Sequence, residues 1–263
     1  MSNVFAAIER ATLVEDPFPH LVVQDALPAD IADTFVAEMP ALEILAQGRP
    51  FGSNVRFYLP SPVALADARI SPAWKAALRT CVASSQAFLD LFIRRLGDRV
   101  RKTHPEFETQ FAPLEELRAV PRADKSRQKR DVGIDFQMVV NSPALTGGTS
   151  VRGAHLDQSN KLISGLLYLR APNDDSVGGE LELYTPAVDR LSLDPSNNVS
   201  AEQVRLVRRY PYRHNLLVLP LNSPLALHGV SPRGKTSKPR YHLHLVGEMT
   251  ASLFETPRSK AAA

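Results

Sequence analysis

The chain has 263 residues, 44% hydrophobic and 22% charged, ordinary proportions for a globular protein long enough to bury a sizeable core. A formal net charge of +3 is too small to argue for a nucleic-acid partner, and the single cysteine, Cys81, excludes an intramolecular disulfide and fits a reducing compartment. No uninterrupted apolar run approaches a membrane span, and Met1 to Arg10 brings charges too early for a secretory signal, so a soluble cytoplasmic protein with no membrane partner is expected.

The first part reads as helical around a short opening strand. Pro28 to Met39 places Ile31, Phe35 and Met39 at four-residue steps, the single apolar stripe of an amphipathic helix. Ser71-Pro72 then has the form of an N-cap followed by proline at the first helical position. Trp74, Leu78, Val82, Phe88, Leu89, Phe92 and Leu96 follow at mainly helical spacing until Gly97. Trp74 and the phenylalanines are read as core.

Arg118 to Arg130 is the densest basic stretch and lacks apolar periodicity, which predicts a mobile loop with a solvated surface. From about Asp135 the pattern changes to short β-rich runs: Asp135 to Val140, Lys161 to Leu169, Glu180 to Tyr184, Asn215 to Leu219, Leu225 to Val230 and Arg240 to Val246. Short strands separated by Gly, Pro and Asn turns predict a sandwich or jelly roll. The expectation is one α+β domain over 1–263, with helical support in 1–110, a basic loop in 111–134 and a strand-rich core in 135–250. The stretches 141–150 and 174–179 are candidates for the rim of a pocket, because loops at the mouth of a β-structure carry specificity.

Within that core, His155 and Asp157 are two residues apart, and in an extended chain such side chains project from one face while Leu156 points the other way into packing. His228 is the polar side chain in an otherwise apolar Pro224 to Val230 run. A buried imidazole needs a partner, and a metal, a backbone carbonyl or a water would each serve. Two imidazoles and one carboxylate offered on one side of a cation leave the opposite side open, the facial arrangement suited to non-haem Fe(II) oxygen chemistry. In Arg240-Tyr-His-Leu-His-Leu-Val-Gly, period-two sorting puts Arg240, His242 and His244 on one face. An arginine fork on the inner face of a dry β-structure can hold a carboxylate bidentately and so select a dicarboxylate. Gln137 is a further candidate contact for such a ligand or for a substrate. His20, His104 and His214 have no partners at metal spacing.

Together, His155-Leu-Asp157, the Gly178-Gly-Glu-Leu181 turn, His228-Gly-Val and Arg240 resemble, in order, the motifs of the 2-oxoglutarate- and Fe(II)-dependent dioxygenases, especially the branch similar to prolyl 4-hydroxylases. Pro17-Phe-Pro-His-Leu-Val-Val resembles the opening strand of many bacterial members. The resemblance implies a double-stranded β-helix (jelly roll) core buttressed by the N-terminal helices. It also implies iron held by His155, Asp157 and His228, and 2-oxoglutarate anchored by Arg240, with Tyr168 supporting the same carboxylate. His242 stands where some relatives place a serine that touches the co-substrate. The implied reaction consumes O2 and 2-oxoglutarate, releases succinate and CO2, and hydroxylates an unactivated C–H bond. Asp157, in place of the small residue of halogenating members, favours hydroxylation or a related oxidation. The expected substrate is a small molecule, an amino acid or biosynthetic intermediate. The alternatives are a peptidyl or prolyl hydroxylase acting on protein, or a jelly-roll protein that binds metal without turnover.

Overall fold

A computed structural model of the chain describes residues 3–256, so the two ends of the expected 1–263 span lie outside the described residues. Eleven strands are formed: β1 (Thr12–Val14), β2 (His20–Gln24), β3 (Arg56–Leu59), β4 (Arg118–Pro121), β5 (Asp131–Asn141), β6 (Lys161–Tyr168), β7 (Leu181–Pro186), β8 (Val204–Tyr210), β9 (Leu216–Pro220), β10 (His228–Val230) and β11 (Arg240–Glu248). They make an eight-stranded sheet in the order β1-β2-β9-β6-β11-β5-β3, with β4 beside β5, and a three-stranded sheet in the order β10-β7-β8. All pairings are antiparallel except β4 with β5. The result is a mixed fold in which a large sheet carries helices on one face and a smaller sheet on the other.

The helical face is built as the apolar spacing predicts. Ser71 accepts a hydrogen bond from the Trp74 amide and Pro72 occupies the first turn, so the helix Pro72–Ala83 is capped by its own sequence. A second helix runs Ser85–Thr103, passing through Gly97 where the sequence suggested a stop. The reason is tertiary: Leu96 and Val100 are buried on either side of the glycine, so packing of the apolar face carries the helix beyond it. Phe88 of this helix and Phe5 converge on Phe136 of β5, with ring centroids 5.7 and 5.1 Å away. Trp74 meets Phe35 edge to face at 5.3 Å. These aromatics are buried core, as expected. Among the described residues, no single helix is long and apolar enough to cross a membrane.

The opposite face of the large sheet packs on the small one. Leu166 and Tyr168 of β6 and Val218 of β9 form a cluster with Leu181 and Leu183 of β7 and with Tyr212. Strand β5 is buried along its whole length because both its faces are covered, yet its chemistry alternates: Val132, Ile134, Phe136, Met138 and Val140 pack toward the helices while Asp135, Gln137 and Asn141 take the other face.

The basic segment departs from the expected loop. Arg118–Pro121 is strand β4, parallel to β5. Its charges find partners remote in sequence: Arg118 pairs with Asp131 at 2.9 Å, Arg122 with Glu248 at 2.7 Å, and Arg127 donates to the Glu248 carbonyl at 2.9 Å. Local composition cannot reveal such partners, so the run reads as a solvated loop.

The triple aromatic contact at Phe136 fastens the helices to the sheet. Phe136→Ala is expected to lower unfolding free energy by about 3–5 kcal/mol, the usual cost of emptying a large buried aromatic site. Urea unfolding monitored by Trp74 fluorescence checks this, and a cost below about 1 kcal/mol would show that the site collapses or is not core.

Candidate metal centre and anion pocket

His155 lies in an extended segment outside the named strands and forms an isolated antiparallel bridge with His228, the first residue of β10. The two residues exchange both backbone hydrogen bonds: His155 N donates to His228 O at 2.9 Å, and His228 N to His155 O at 3.1 Å. Directly opposed residues carry neighbouring side chains, and the two imidazole centroids are 4.3 Å apart. Gly229 permits this approach, since a Cβ there would stand 2.9 Å from the Gly153 backbone. Leu156 points away, fully buried with Leu193 and Leu227, which leaves Asp157 on the side of His155.

The ligand atoms of His155, Asp157 and His228 all lie within 4.8 Å of one another, and among the described residues this is the one such group of three. Each imidazole sets its Nδ1 2.9 Å from a carbonyl two residues back, Gly153 O for His155 and Ala226 O for His228. A carbonyl can only accept, so both rings carry the proton on Nδ1 and turn the Nε2 lone pair toward the centre. Asp157 accepts from Ser164 Oγ on one oxygen and lies 3.0 Å from Lys161 Nζ on the other. Ser164 Oγ is also 2.9 Å from His244 Nε2, so a short polar chain holds the carboxylate in place.

Burial pushes the His155 pKa well below its ordinary value, with the adjacent His228 acting in the same direction, and burial lowers that of His228. For Asp157, burial alone would favour the neutral acid. The Lys161 ammonium outweighs it and holds the carboxyl well below the usual range. Neutral rings and an ionised carboxylate are the protonation states a divalent cation requires. The donor set therefore fits a metal: three ligands on one side, with an inner space of about 50 Å3 on the other, walled by Leu166, Leu181, Val230 and His242.

Arg240 opens β11 opposite Asn141 of β5. It is fully buried, and among the described residues no carboxylate lies within salt-bridge distance of it. Its Nε donates to Gly179 O at 2.7 Å and one Nη to Asn141 Oδ1 at 3.2 Å. The guanidinium stacks over Tyr168 at 4.9 Å and Tyr212 at 5.1 Å. Its other Nη has no hydrogen-bond partner, and neither do the Tyr168 hydroxyl and the Asn141 amide nitrogen. The Tyr168 hydroxyl and the Arg240 charge influence one another, yet the cation sits over the ring and is not aligned with the oxygen. Burial lowers the Arg240 pKa, as the low-dielectric surroundings disfavour its charge. A buried cation with spare donors is costly to leave unpaired, and an anionic ligand is what relieves it.

The predicted side chains separate into two groups. His155, Asp157 and His228 converge, and Arg240 and Tyr168 converge, with His242 Nδ1 3.4 Å from an Arg240 Nη and its ring edge-on to Tyr168. Gln137 pairs in register with His244, donates to Asp135 at 3.1 Å and lines a wider cavity on the far side of Asp157, away from Arg240. Arg233 spends both terminal nitrogens on the carbonyls of Ser142 and Lys238, which leaves Arg240 as the anchor candidate. His20, His104 and His214 bond elsewhere, to Tyr210, Asn222 and Asp33.

Sequence reasoning missed Asn141, Ser164 and Tyr212. Ser164 lies on a predicted strand, while Asn141 falls one residue past the predicted end of its strand, at the start of the stretch read as pocket rim; the pairing of Asn141 with Arg240 reveals its place. Tyr212 lies outside the strands and carries no local signal.

No family model matches the sequence, and no curated protein matches it. Solved structures similar to the chain include a prolyl-4-hydroxylase from Pseudomonas putida, at 15% identity and TM-score 0.44, covering 88% of this chain and 93% of that one. A prolyl hydroxylase from Trichoplax adhaerens, solved with a peptide fragment of the hypoxia inducible factor oxygen degradation domain, aligns at 13% identity and TM-score 0.49 over 88% of this chain and 83% of that one. A prolyl 4-hydroxylase from Phytophthora capsici aligns at 19% identity and TM-score 0.43 over 88% of this chain and 59% of that one.

The geometry sets a graded outcome for metal binding. Titrated with Mn(II) and followed by electron paramagnetic resonance, His155→Ala is expected to lose tight binding. Ser164→Ala, which frees Asp157 without removing a ligand, should weaken binding about 10- to 100-fold. Unchanged Mn(II) affinity in both variants would refute the centre.

Proposed function

We propose that the chain is a 2-oxoglutarate- and Fe(II)-dependent dioxygenase, its two sheets forming a double-stranded β-helix, that hydroxylates an unactivated C–H bond of a small molecule. The observation that carries this reading is the pairing, in one sheet sandwich, of an open-faced two-histidine, one-carboxylate centre with a fully buried Arg240 that has no carboxylate of its own. A site that only stored a metal would need neither the open face nor the anion pocket.

In this reading His155, Asp157 and His228 hold the iron, and the bound iron with 2-oxoglutarate and O2 supplies the oxidation, releasing succinate and CO2. The protein's own contributions follow from its geometry. Ser164 fixes the orientation of Asp157, and the Gly153 and Ala226 carbonyls fix the two imidazole tautomers. Arg240 receives the distal carboxylate of the co-substrate through its spare Nη, while the Tyr168 hydroxyl and Asn141 amide have donors free for the same group. Tyr168 and Tyr212, stacked on the guanidinium, restrict where that carboxylate can settle. Leu166, Leu181 and Val230 exclude water from the space between. Support for a small molecule comes from the adjoining cavity of about 470 Å3, in the range of small-ligand sites, bounded by Pro195, Ser196 and Asn197.

Succinate formation from 2-oxoglutarate by anaerobically iron-loaded protein, measured after air is admitted, tests the reading. Arg240→Gln is expected to raise the 2-oxoglutarate concentration for half-maximal rate by roughly 100-fold or more, and Arg240→Lys to recover only part of that, because an ammonium cannot reproduce the planar fork. Tyr168→Phe should cost roughly 10- to 100-fold, the worth of one hydrogen bond to a charged group. Neither succinate formation nor 2-oxoglutarate binding in the unaltered protein would sink the proposal.

A further inference from the structure

The cavity beside the metal centre is cationic beyond what its own carboxylates balance. It and the inner space share Tyr58, Arg152, Asp157, Lys161 and His244, and Arg56 lines the inner space where the two adjoin. Of the cations around them, Arg122 is neutralised by Glu248 at 2.7 Å. Lys161 has Asp157 as its ion-pair partner, and that carboxylate is a ligand of the metal in the reading above. Among the described residues, neither Arg152 nor Arg56 has a carboxylate within salt-bridge distance. The Arg152 guanidinium makes one hydrogen bond, to the Ser196 carbonyl at 3.1 Å, and Arg56 makes a long one, to the Tyr58 hydroxyl at 3.4 Å. Arg56 Nε is buried with no partner. Burial disfavours the Arg152 charge, Asp157 nearby favours it, and Arg56 opposes it less strongly.

Like charges held together in a partly dehydrated pocket are unfavourable unless a counter-charge arrives. The co-substrate does not supply it, because Arg240 already claims the distal carboxylate and the metal centre the other end. The cation excess therefore faces the substrate. Gln137, Gln158 and Asn197 line the same cavity and offer neutral polar contacts for the remainder of the molecule.

We infer that the substrate is a small molecule bearing its own anionic group, a carboxylate or a phosphate, which docks between Arg152 and Arg56 with Lys161 alongside. This rests on the oxygenase reading for the position of the reacting bond, but its recognition chemistry is a property of the cavity alone.

The test uses the full chain loaded with Mn(II) and 2-oxoglutarate, with binding read by calorimetry. Matched pairs serve as probes: amino acids against their carboxamides for a carboxylate, and sugar phosphates against the free sugars for a phosphate. The acidic members of one arm are expected to bind at least about 10- to 100-fold more tightly than their neutral counterparts, the worth of a charge-assisted contact. That preference should be lost in Arg152→Gln, partly recovered in Arg152→Lys, and weakened by added salt. The arm that responds identifies the anion. Absence of any preference for the acidic partner in both arms, or a preference that Arg152→Gln leaves intact, overturns the inference. Failure of the unaltered protein to bind Mn(II) and 2-oxoglutarate is registered separately in the loading step and counts against the oxygenase reading.

Discussion

The buried charge of Arg240 is the constraint around which the strand-rich half is arranged. A guanidinium taken out of water must be compensated, and each neighbouring element contributes a part. Strand β5 supplies the Asn141 oxygen, the Gly178-Gly179 turn supplies a carbonyl, and β6 and the segment before β9 supply the faces of Tyr168 and Tyr212. Gly179 has φ +77, and a Cβ there would stand 3.0 Å from the Arg240 side chain. A glycine is required both for the backbone conformation and for the approach. These contacts satisfy the cation only in part, and the donors left over define what the pocket receives.

The candidate metal centre obeys a similar logic with the opposite sign. Its one carboxylate is buried, and burial alone would favour the neutral acid but for Lys161 beside it. The backbone sets the rest: a two-residue antiparallel bridge places His155 and His228 side by side, and the carbonyls behind them dictate which nitrogen each ring presents. The centre is thus preorganised by main-chain hydrogen bonds, the least adjustable interactions available, while Ser164 and His244 hold the carboxylate from the side. Between the two charged sites Leu166, Leu181 and Val230 stand beside His242 in the walls of the inner space.

The large sheet makes this possible because it is supported from behind. Helices Pro72–Ala83 and Ser85–Thr103 cover the face away from the site, and the Phe5, Phe88 and Phe136 cluster ties them to β5, the strand that carries Asn141 and Gln137. The basic segment that begins with β4 belongs to this support: Arg118 is engaged by Asp131 and Arg122 by Glu248, while Arg56, Arg152 and Lys161, from other parts of the chain, are the further cations lining the two spaces.

The sequence by itself determined the elements whose signal is periodic and local. These are the capped helix after Ser71, most of the strands from Asp135 onward, the shared side of His155 and Asp157, and the inner face of Arg240, His242 and His244, since spacing along the chain dictates which side chains point together. It was silent where the decisive partner is distant. The helix continues past Gly97 with Leu96 and Val100 buried on either side of it, the start of the basic run becomes β4 by pairing in parallel with β5, and Arg122 is engaged by Glu248 from the far end of the chain. Only the tertiary structure decided that His155 and His228 would be bonded neighbours, that Tyr212 would complete the clamp on Arg240, and that Arg56 and Arg152 would share one cavity. Each of these is a juxtaposition across tens of residues of chain, fixed by strand pairing and burial, which no local pattern encodes.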